Sequence, residues 1–298
     1  MSLREDGLRL TAVYWGYRAV ERAATEVPER AGRKVFEWLG RLGYETLPGV
    51  RATVAANQAQ VLGLDPRSPL IRTATREAFR LYSRYWYDTF RIRALSPAEI
   101  DRRTRFEGAE HFDEALASGK GCIAVIPHMG NWDVAGRWVT AHGYPLAAVA
   151  EVLKPPRLAQ LFVRHREELG MRVIPLEAGA NVGQQLARLL ADNWIIALVA
   201  DRDLSGRGVE VEMFGATRRV PAGPAMLSLT TGAPIVVCTA YTRPEGWVVR
   251  IGSPLVFERA GKLRADVTAL SGLMAGEFER AIAAYPPDWH MFQPGWPT

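Results

Sequence analysis

Over the C-terminal two-thirds of the chain, short unbroken apolar runs alternate with amphipathic ones. Cys122 to Ile126 is apolar throughout and has the length of a buried strand, while Trp132 to His142 repeats at helical spacing. The same rhythm predicts strand Leu146 to Val149, helix Pro156 to Leu169, strand Val173 to Leu176, helix Asn181 to Asp192 and strand Trp194 to Ala200. Gly208 to Gly215 alternates like a further strand. Helix Pro224 to Thr231, strands Ile235 to Tyr241 and Trp247 to Ile251, and a helix over about Ala265 to Ala284 complete the set. Strands alternating with helices imply an α/β fold, with a mainly parallel central sheet flanked by helices.

Upstream, helical spacing dominates. Leu10, Val13, Tyr14 and Tyr17 fall three and four apart, and Pro28 suits the start of a second helix running to about Gly43. Val50 to Leu62 and Pro69 to about Arg93 predict two more. The latter carries the run Leu81-Tyr82-Ser83-Arg84-Tyr85-Trp86-Tyr87 between Phe79 and Phe90. Two readings stand for it: a packing face, or an amphipathic surface seated among lipid headgroups. Residues 220–242 carry no charge, but Pro221, Pro224, Gly232 and Pro234 punctuate them. A helix followed by a strand therefore fits better than a membrane span. No repeat, low-complexity segment or clean linker divides the chain. The expectation is one domain over 1–298, with a helical, membrane-facing extension over 1–100 and an α/β core over 115–298.

Composition narrows the function classes. The chain has 298 residues, 48% hydrophobic and 23% charged, which excludes disorder and collagen-like order. A formal net charge of +5 admits nucleic acid, anionic lipid or an acidic substrate as partner. The basic residues are dispersed, however, and match no nucleic-acid-binding pattern. The two cysteines, Cys122 and Cys238, lie inside apolar runs without metal-ligand spacing, which argues against zinc and for a reducing compartment. No signal peptide is visible in MSLREDGLRL, and no metal is expected.

The chemistry concentrates at strand ends, where open α/β sheets gather active residues. His128 stands one residue past Pro127, where the first core strand stops, and Gly130 and Asn131 make a turn. Asp133 then enters the first turn of the next helix, where the helix dipole favours a carboxylate. Residues five apart on one helix point about 140° apart, so a His128–Asp133 hydrogen bond needs that turn. The carboxylate would hold one ring nitrogen protonated and leave the other as a general base.

A second cluster, Asp201-Arg202-Asp203-Leu204, ends the strand IIALVA. Asp201 is a further carboxylate partner if the two strands are neighbours, and Arg202 a phosphate contact; the alternative is an ion-paired loop. At Pro221-Ala222-Gly223-Pro224-Ala225, small residues around Gly223 open a helix whose N–H groups could face a pyrophosphate or an oxyanion, or simply make a tight turn. No GxSxG elbow, phosphate-binding loop or GxGxxG competes. A His–Asp pair without a protein nucleophile points to direct attack by a substrate hydroxyl on a thioester.

The segments IPHMGNWDVAGRW, VADRDLSGRGVEVEMFG, VPAGPAMLSLTTGAPIVV and PPDWHMFQPGW resemble the phosphatidylinositol mannoside acyltransferases of actinobacteria. These belong with the lipid A late acyltransferases and, more distantly, the glycerol-phosphate acyltransferases. The likeness runs over most of the chain from about Ala115. It implies acyl-CoA as co-substrate with no further cofactor, commonly palmitoyl-CoA, and a phosphatidylinositol mannoside acceptor. The acylated group would be the 6-hydroxyl of the mannose on the inositol 2-position. It also implies peripheral attachment to an anionic membrane surface, on the cytoplasmic face of the cell membrane. By this resemblance His128 matches the base and Asp133 its orienting carboxylate. Glu151 and Arg166 fall where family members contact the mannose, and Arg164, Arg202 and Gly223 join them as substrate-binding candidates. Asp201 stands where actinobacterial members carry Glu, one methylene longer. Another acceptor of the same superfamily, or a non-catalytic lipid-binding relative, remains an alternative.

Overall fold

The computed structural model describes residues 7–151, 156–176, 181–203 and 206–296; Leu204 of the second cluster lies outside the described residues. Four helices lead: α1 (Gly7–Glu26), α2 (Glu29–Thr46), α3 (Pro48–Leu62) and α4 (Pro69–Arg91). Ser68 caps α4 by accepting the Ile71 N–H, with Pro69 at the first helical position, where no N–H is missed. Gly32, Phe36, Gly40 and Tyr44 recur every fourth residue and bury one stripe of α2 against α4. The approach is close enough that a Cβ on Gly40 would lie 2.7 Å from the Phe79 carbonyl oxygen.

Three short elements that the pattern does not reveal come next: α5 (Pro97–Arg103), β1 (Thr104–Glu107) and α6 (Glu110–Leu116). Each spans at most seven residues, too few for a period to emerge. The expected alternation then holds to within two residues through β2 (Cys122–Ile126), α7 (Trp132–Ala141), β3 (Leu146–Glu151), α8 (Pro156–Glu168), β4 (Arg172–Leu176), α9 (Val182–Ala191) and β5 (Ile195–Val199). A hairpin follows, β6 (Val209–Met213) and β7 (Ala216–Val220), of which the alternation predicts only the first strand. The uncharged stretch is α10 (Gly223–Thr231) and then β8 (Ile235–Arg243); β9 (Gly246–Ile251) and α11 (Leu263–Ala284) end the order. No helix among the described residues is long and apolar enough to cross a membrane.

Seven strands form the central sheet in the order β1-β9-β8-β2-β5-β3-β4. All neighbours are parallel except the β8–β9 hairpin. Two apolar layers cover the sheet. One gathers Ile123, Val125 and Ile196 with side chains of α9, α10 and α11, and the other gathers Cys122, Ala124 and Ile195 with side chains of α6 and α7. The chain leaves β2 for β3 and β4, returns to place β5 between β2 and β3, and later lays β8 on the other side of β2. Such a reversal opens a crevice at the carboxyl ends of the strands. His128 stands at that crevice.

Candidate active site

Register decides what His128 meets. Ile126 of β2 pairs with Val199 of β5, so two residues past each strand end bring His128 and Asp201 side by side. The ring donates from Nδ1 to Asp201 Oδ1 at 2.5 Å, since the carboxylate can only accept. This leaves Nε2 with its lone pair on a ring that lines an open cavity.

Asp201 is completely buried and thoroughly fixed. Its Oδ2 accepts the indole N–H of Trp289 at 2.8 Å, and its backbone carbonyl accepts from Arg218 Nη2 at 2.5 Å. Burial alone would raise its pKa. The adjacent His128 ring with its hydrogen bond, the Trp289 N–H and the Arg218 charge outweigh that, and hold the carboxyl well below the usual carboxylate range. Arg218 is itself buried against the Trp289 and Trp296 rings.

The expected bond from His128 to Asp133 does not form. Asp133 instead ion-pairs with Arg166 of α8, Nε to Oδ1 at 2.8 Å. The reason is directional. The Asn131 side chain caps α7 by accepting the Val134 N–H, and the first turn that follows carries Asp133 toward α8 rather than β5. Burial works against the Arg166 charge, but the Asp133 carboxylate outweighs it and raises the guanidinium pKa further. The other Asp133 oxygen, Oδ2, is buried without a partner among the described residues.

The turn itself is held from behind by residues 288–290. Gly130 N–H donates to the Asp288 carbonyl, and His290 N–H donates to the His128 carbonyl. Gly130 has φ +57, and a Cβ there would lie 2.2 Å from the Ala240 carbonyl oxygen, so no larger residue fits. His290 donates from Nε2 to the Gly130 carbonyl at 3.0 Å, which fixes its tautomer. Burial lowers its pKa to about 3, so the ring is neutral.

The cavity at His128 has a volume of about 390 Å³. Its mouth carries Glu151, Arg202 and Gln293, with Arg202 Nη1 donating to Gln293 Oε1 at 2.6 Å and Nη2 lying 3.5 Å from Glu151. Asp133 and Arg166 stand in its wall, together with Tyr82, Tyr85 and Trp86 of the aromatic run. That run is a packing face, with Phe79, Tyr85, Tyr87 and Phe90 buried, that also walls the cavity. The interior is apolar. Two expected site residues lie elsewhere. Arg164 is on the exposed side of α8, and Gly223 opens α10, whose buried side chains join the opposite apolar layer; neither lines the cavity. Among the described residues no group of three or more His, Cys, Asp or Glu side chains could hold a metal ion.

A buried carboxylate, an imidazole with one free nitrogen and an apolar cavity together can deprotonate a hydroxyl beside a bound acyl group. Comparison with known proteins agrees. The sequence model for bacterial lipid A biosynthesis acyltransferases matches residues 4–298. The chain belongs to the bacterial lipid A biosynthesis acyltransferase family. Within this acyltransferase family, the phosphatidylinositol mannoside acyltransferase of Mycobacterium tuberculosis is 37% identical over 292 residues, covering 96% of this chain and 89% of that protein. That of Mycolicibacterium smegmatis is 36% identical over 282 residues, covering 94% and 90%. The chain is an acyltransferase.

Sequence reasoning gave no role to Trp289, His290 or Arg218. Trp289 and His290 act on the site from a distant part of the chain, and Arg218 from the second strand of the β6–β7 hairpin. For Trp289 and His290 the signal was the motif PPDWHMFQPGW, which carries the family resemblance but is too short to place by pattern; Arg218, in TRRV, gave none.

Proposed function

We propose that this acyltransferase moves a long fatty acyl chain, palmitoyl in the first instance, from acyl-CoA to a mannose hydroxyl of a phosphatidylinositol mannoside. The acceptor group is the 6-hydroxyl of the mannose on the inositol 2-position, and no cofactor is needed beyond the co-substrate. The observation that carries this reading is the apolar cavity opening at a histidine whose far nitrogen is held by a buried carboxylate.

His128 Nε2 takes the hydroxyl proton as the oxygen attacks the thioester carbonyl. Asp201 stabilises the imidazolium so formed and stays ionised. The tetrahedral intermediate collapses, the C–S bond breaks, and the imidazolium returns the proton to the departing thiolate, giving an ester and free CoA. Asp133 and Arg166 bind the sugar rather than the base, with the unpartnered Asp133 Oδ2 accepting from a hydroxyl. Glu151 and Arg202 do the same at the mouth, where Arg202 also faces phosphate. Burying about fifteen methylenes at ~0.8 kcal/mol each is worth roughly 12 kcal/mol as an upper bound, enough to hold the donor firmly.

The chain works as one domain at the cytoplasmic face of the cell membrane, with residues 1–100 turned toward lipid. Val35, Trp38, Leu39 and Leu42 form an exposed apolar stripe on α2, with Lys34 and Arg41 exposed beside them. A stripe of this kind suits the headgroup boundary of an anionic bilayer.

Mass spectrometry of products from palmitoyl-CoA and mannosylated phosphatidylinositol tests the reading. The expected result is one palmitoyl ester per acceptor, formed by the unaltered protein and lost in His128→Ala. Near-normal turnover in that variant would defeat it, and faster turnover with a mannose-free acceptor would move the acceptor assignment elsewhere in the family.

A further inference from the structure

Helices α2, α3 and α4 meet around Tyr44, and their charges do not balance there. The Tyr44 side chain is buried, and two guanidinium groups stand over its ring: those of Arg51 from α3 and Arg76 from α4, each with its central carbon 5.2 Å from the ring centroid. Arg41, three residues before Tyr44, joins Tyr44, Glu45 and Arg76 in lining a cavity of about 360 Å³. Against three arginines stands one carboxylate, that of Glu45, exposed and 3.8 Å from Arg51. The nearest other acids on these helices, Glu37 of α2 and Glu77 of α4, are both bonded to Arg80. Among the described residues neither Arg41 nor Arg76 forms an ion pair.

This cavity borders an apolar surface. At about 100° per residue, Arg41 stands about 60° around α2 from Tyr44 on one side and from Trp38 on the other. Trp38 belongs to the exposed stripe with Val35, Leu39 and Leu42, and Leu47, also exposed, lies just past the end of α2. A free phosphate in solution gains nothing from such an edge. A phospholipid does, with its tails beside the stripe and its phosphate toward the arginines. Planar guanidinium forks bind phosphate oxygens in pairs, and stacking on a shared ring already restricts two of them, so binding orders little more. Behind the cavity, Tyr44 meets Phe79 edge-on at 5.7 Å and Phe79 meets Phe292 at 5.0 Å; Phe292 and Gln293 line the catalytic cavity.

We propose that Arg41, Arg51 and Arg76 hold the phosphate of an anionic membrane lipid, at a site outside the catalytic cavity and separate from the acceptor. The inference rests on the reading of residues 1–100 as turned toward lipid, and it names the lipid chemistry and the side chains that recognise it. A phospholipid seated there, two ring contacts from Phe292, holds the mouth of the catalytic cavity close to the bilayer that carries the acceptor.

Sedimentation with phosphatidylcholine vesicles, with and without phosphatidylinositol, tests the site. The double variant Arg41→Gln with Arg76→Gln should bind phosphatidylinositol vesicles at least about thirtyfold more weakly, with its thermal midpoint near the original value. A charge-matched control, Arg188→Gln with Arg264→Gln at exposed positions of α9 and α11, should lose less than about threefold. Glu45→Gln removes the opposing carboxylate and should gain about threefold or more. Equal losses in the two double variants overturn the site in favour of a diffuse field. Inorganic phosphate alone, followed by calorimetry at fixed ionic strength, should bind no tighter than about 1 mM; tight binding without vesicles overturns the lipid assignment. Unaltered protein that ignores phosphatidylinositol vesicles overturns this site together with the lipid-facing reading. Protein that binds them but moves no palmitoyl group to a mannoside overturns only the substrates proposed above.

Discussion

Asp133, in the first turn of α7, and Asp201, two residues past β5, are both buried and each is bonded to a nitrogen base, yet they can do different things. Arg166 stays cationic throughout, so its pair with Asp133 is a fixed charge pattern that a ligand can read. His128 can be neutral or charged, so its pair with Asp201 can cycle a proton. The partner sets the role; burial of the carboxylate does not.

The sharpest way to break this contrast is at the cycling pair. His128→Ala and Asp201→Asn should each lower kcat by about 10³-fold or more with folding intact, the amide failing to stabilise an imidazolium. Steady-state rates against acyl-CoA would settle it, and a mild loss in Asp201→Asn would mean that the carboxylate does not act through the ring. Asp133→Asn is the complementary change. It leaves Arg166 buried without its counter-charge and should cost about 3 kcal/mol of stability by denaturant unfolding. Acceptor KM should rise, while the pH dependence of kcat should stay as in the unaltered protein.

Trp289→Phe keeps the ring and removes the N–H that holds Asp201 Oδ2. A hydrogen bond to a charged group is worth about 1.5–3 kcal/mol, so kcat should fall about ten- to a hundredfold with both KM values unmoved. The smallest effect concerns His290. Its folded pKa, about 3, lies below the ordinary histidine value of 6.5, so the unfolded ring binds a proton first as pH falls. Its contribution is complete above pH 6.5 and is lost progressively from there toward pH 3. Between pH 8 and pH 6 it amounts to about 1 kcal/mol. His290→Phe lowers stability at every pH through the lost bond to Gly130, but its unfolding midpoint should fall less steeply with acid.

Most of the sheet was legible because β2 to β5 are separate apolar runs with helical periods between them. His128 and Asp201 were legible as strand-end residues. Their contact was legible only as a condition, that β5 lie beside β2, which the structure meets; the order of parallel strands itself leaves no local trace. Asp133, five residues away along the chain, drew the assignment that register gives to Asp201. Arg164 and Arg166 are indistinguishable as charges in a sequence, and only the rotation of α8 turns one inward.

The turn bearing His128 is clasped by residues 288–290, some one hundred and sixty positions further along the polypeptide. A ribosome therefore completes the whole sheet before it delivers the indole and backbone amide N–H groups that steady the proton-transferring pair. Nascent protein carries both reactive side chains well before it can use them, and a break just ahead of Pro286, after α11, would silence the enzyme while sparing nearly all of its core.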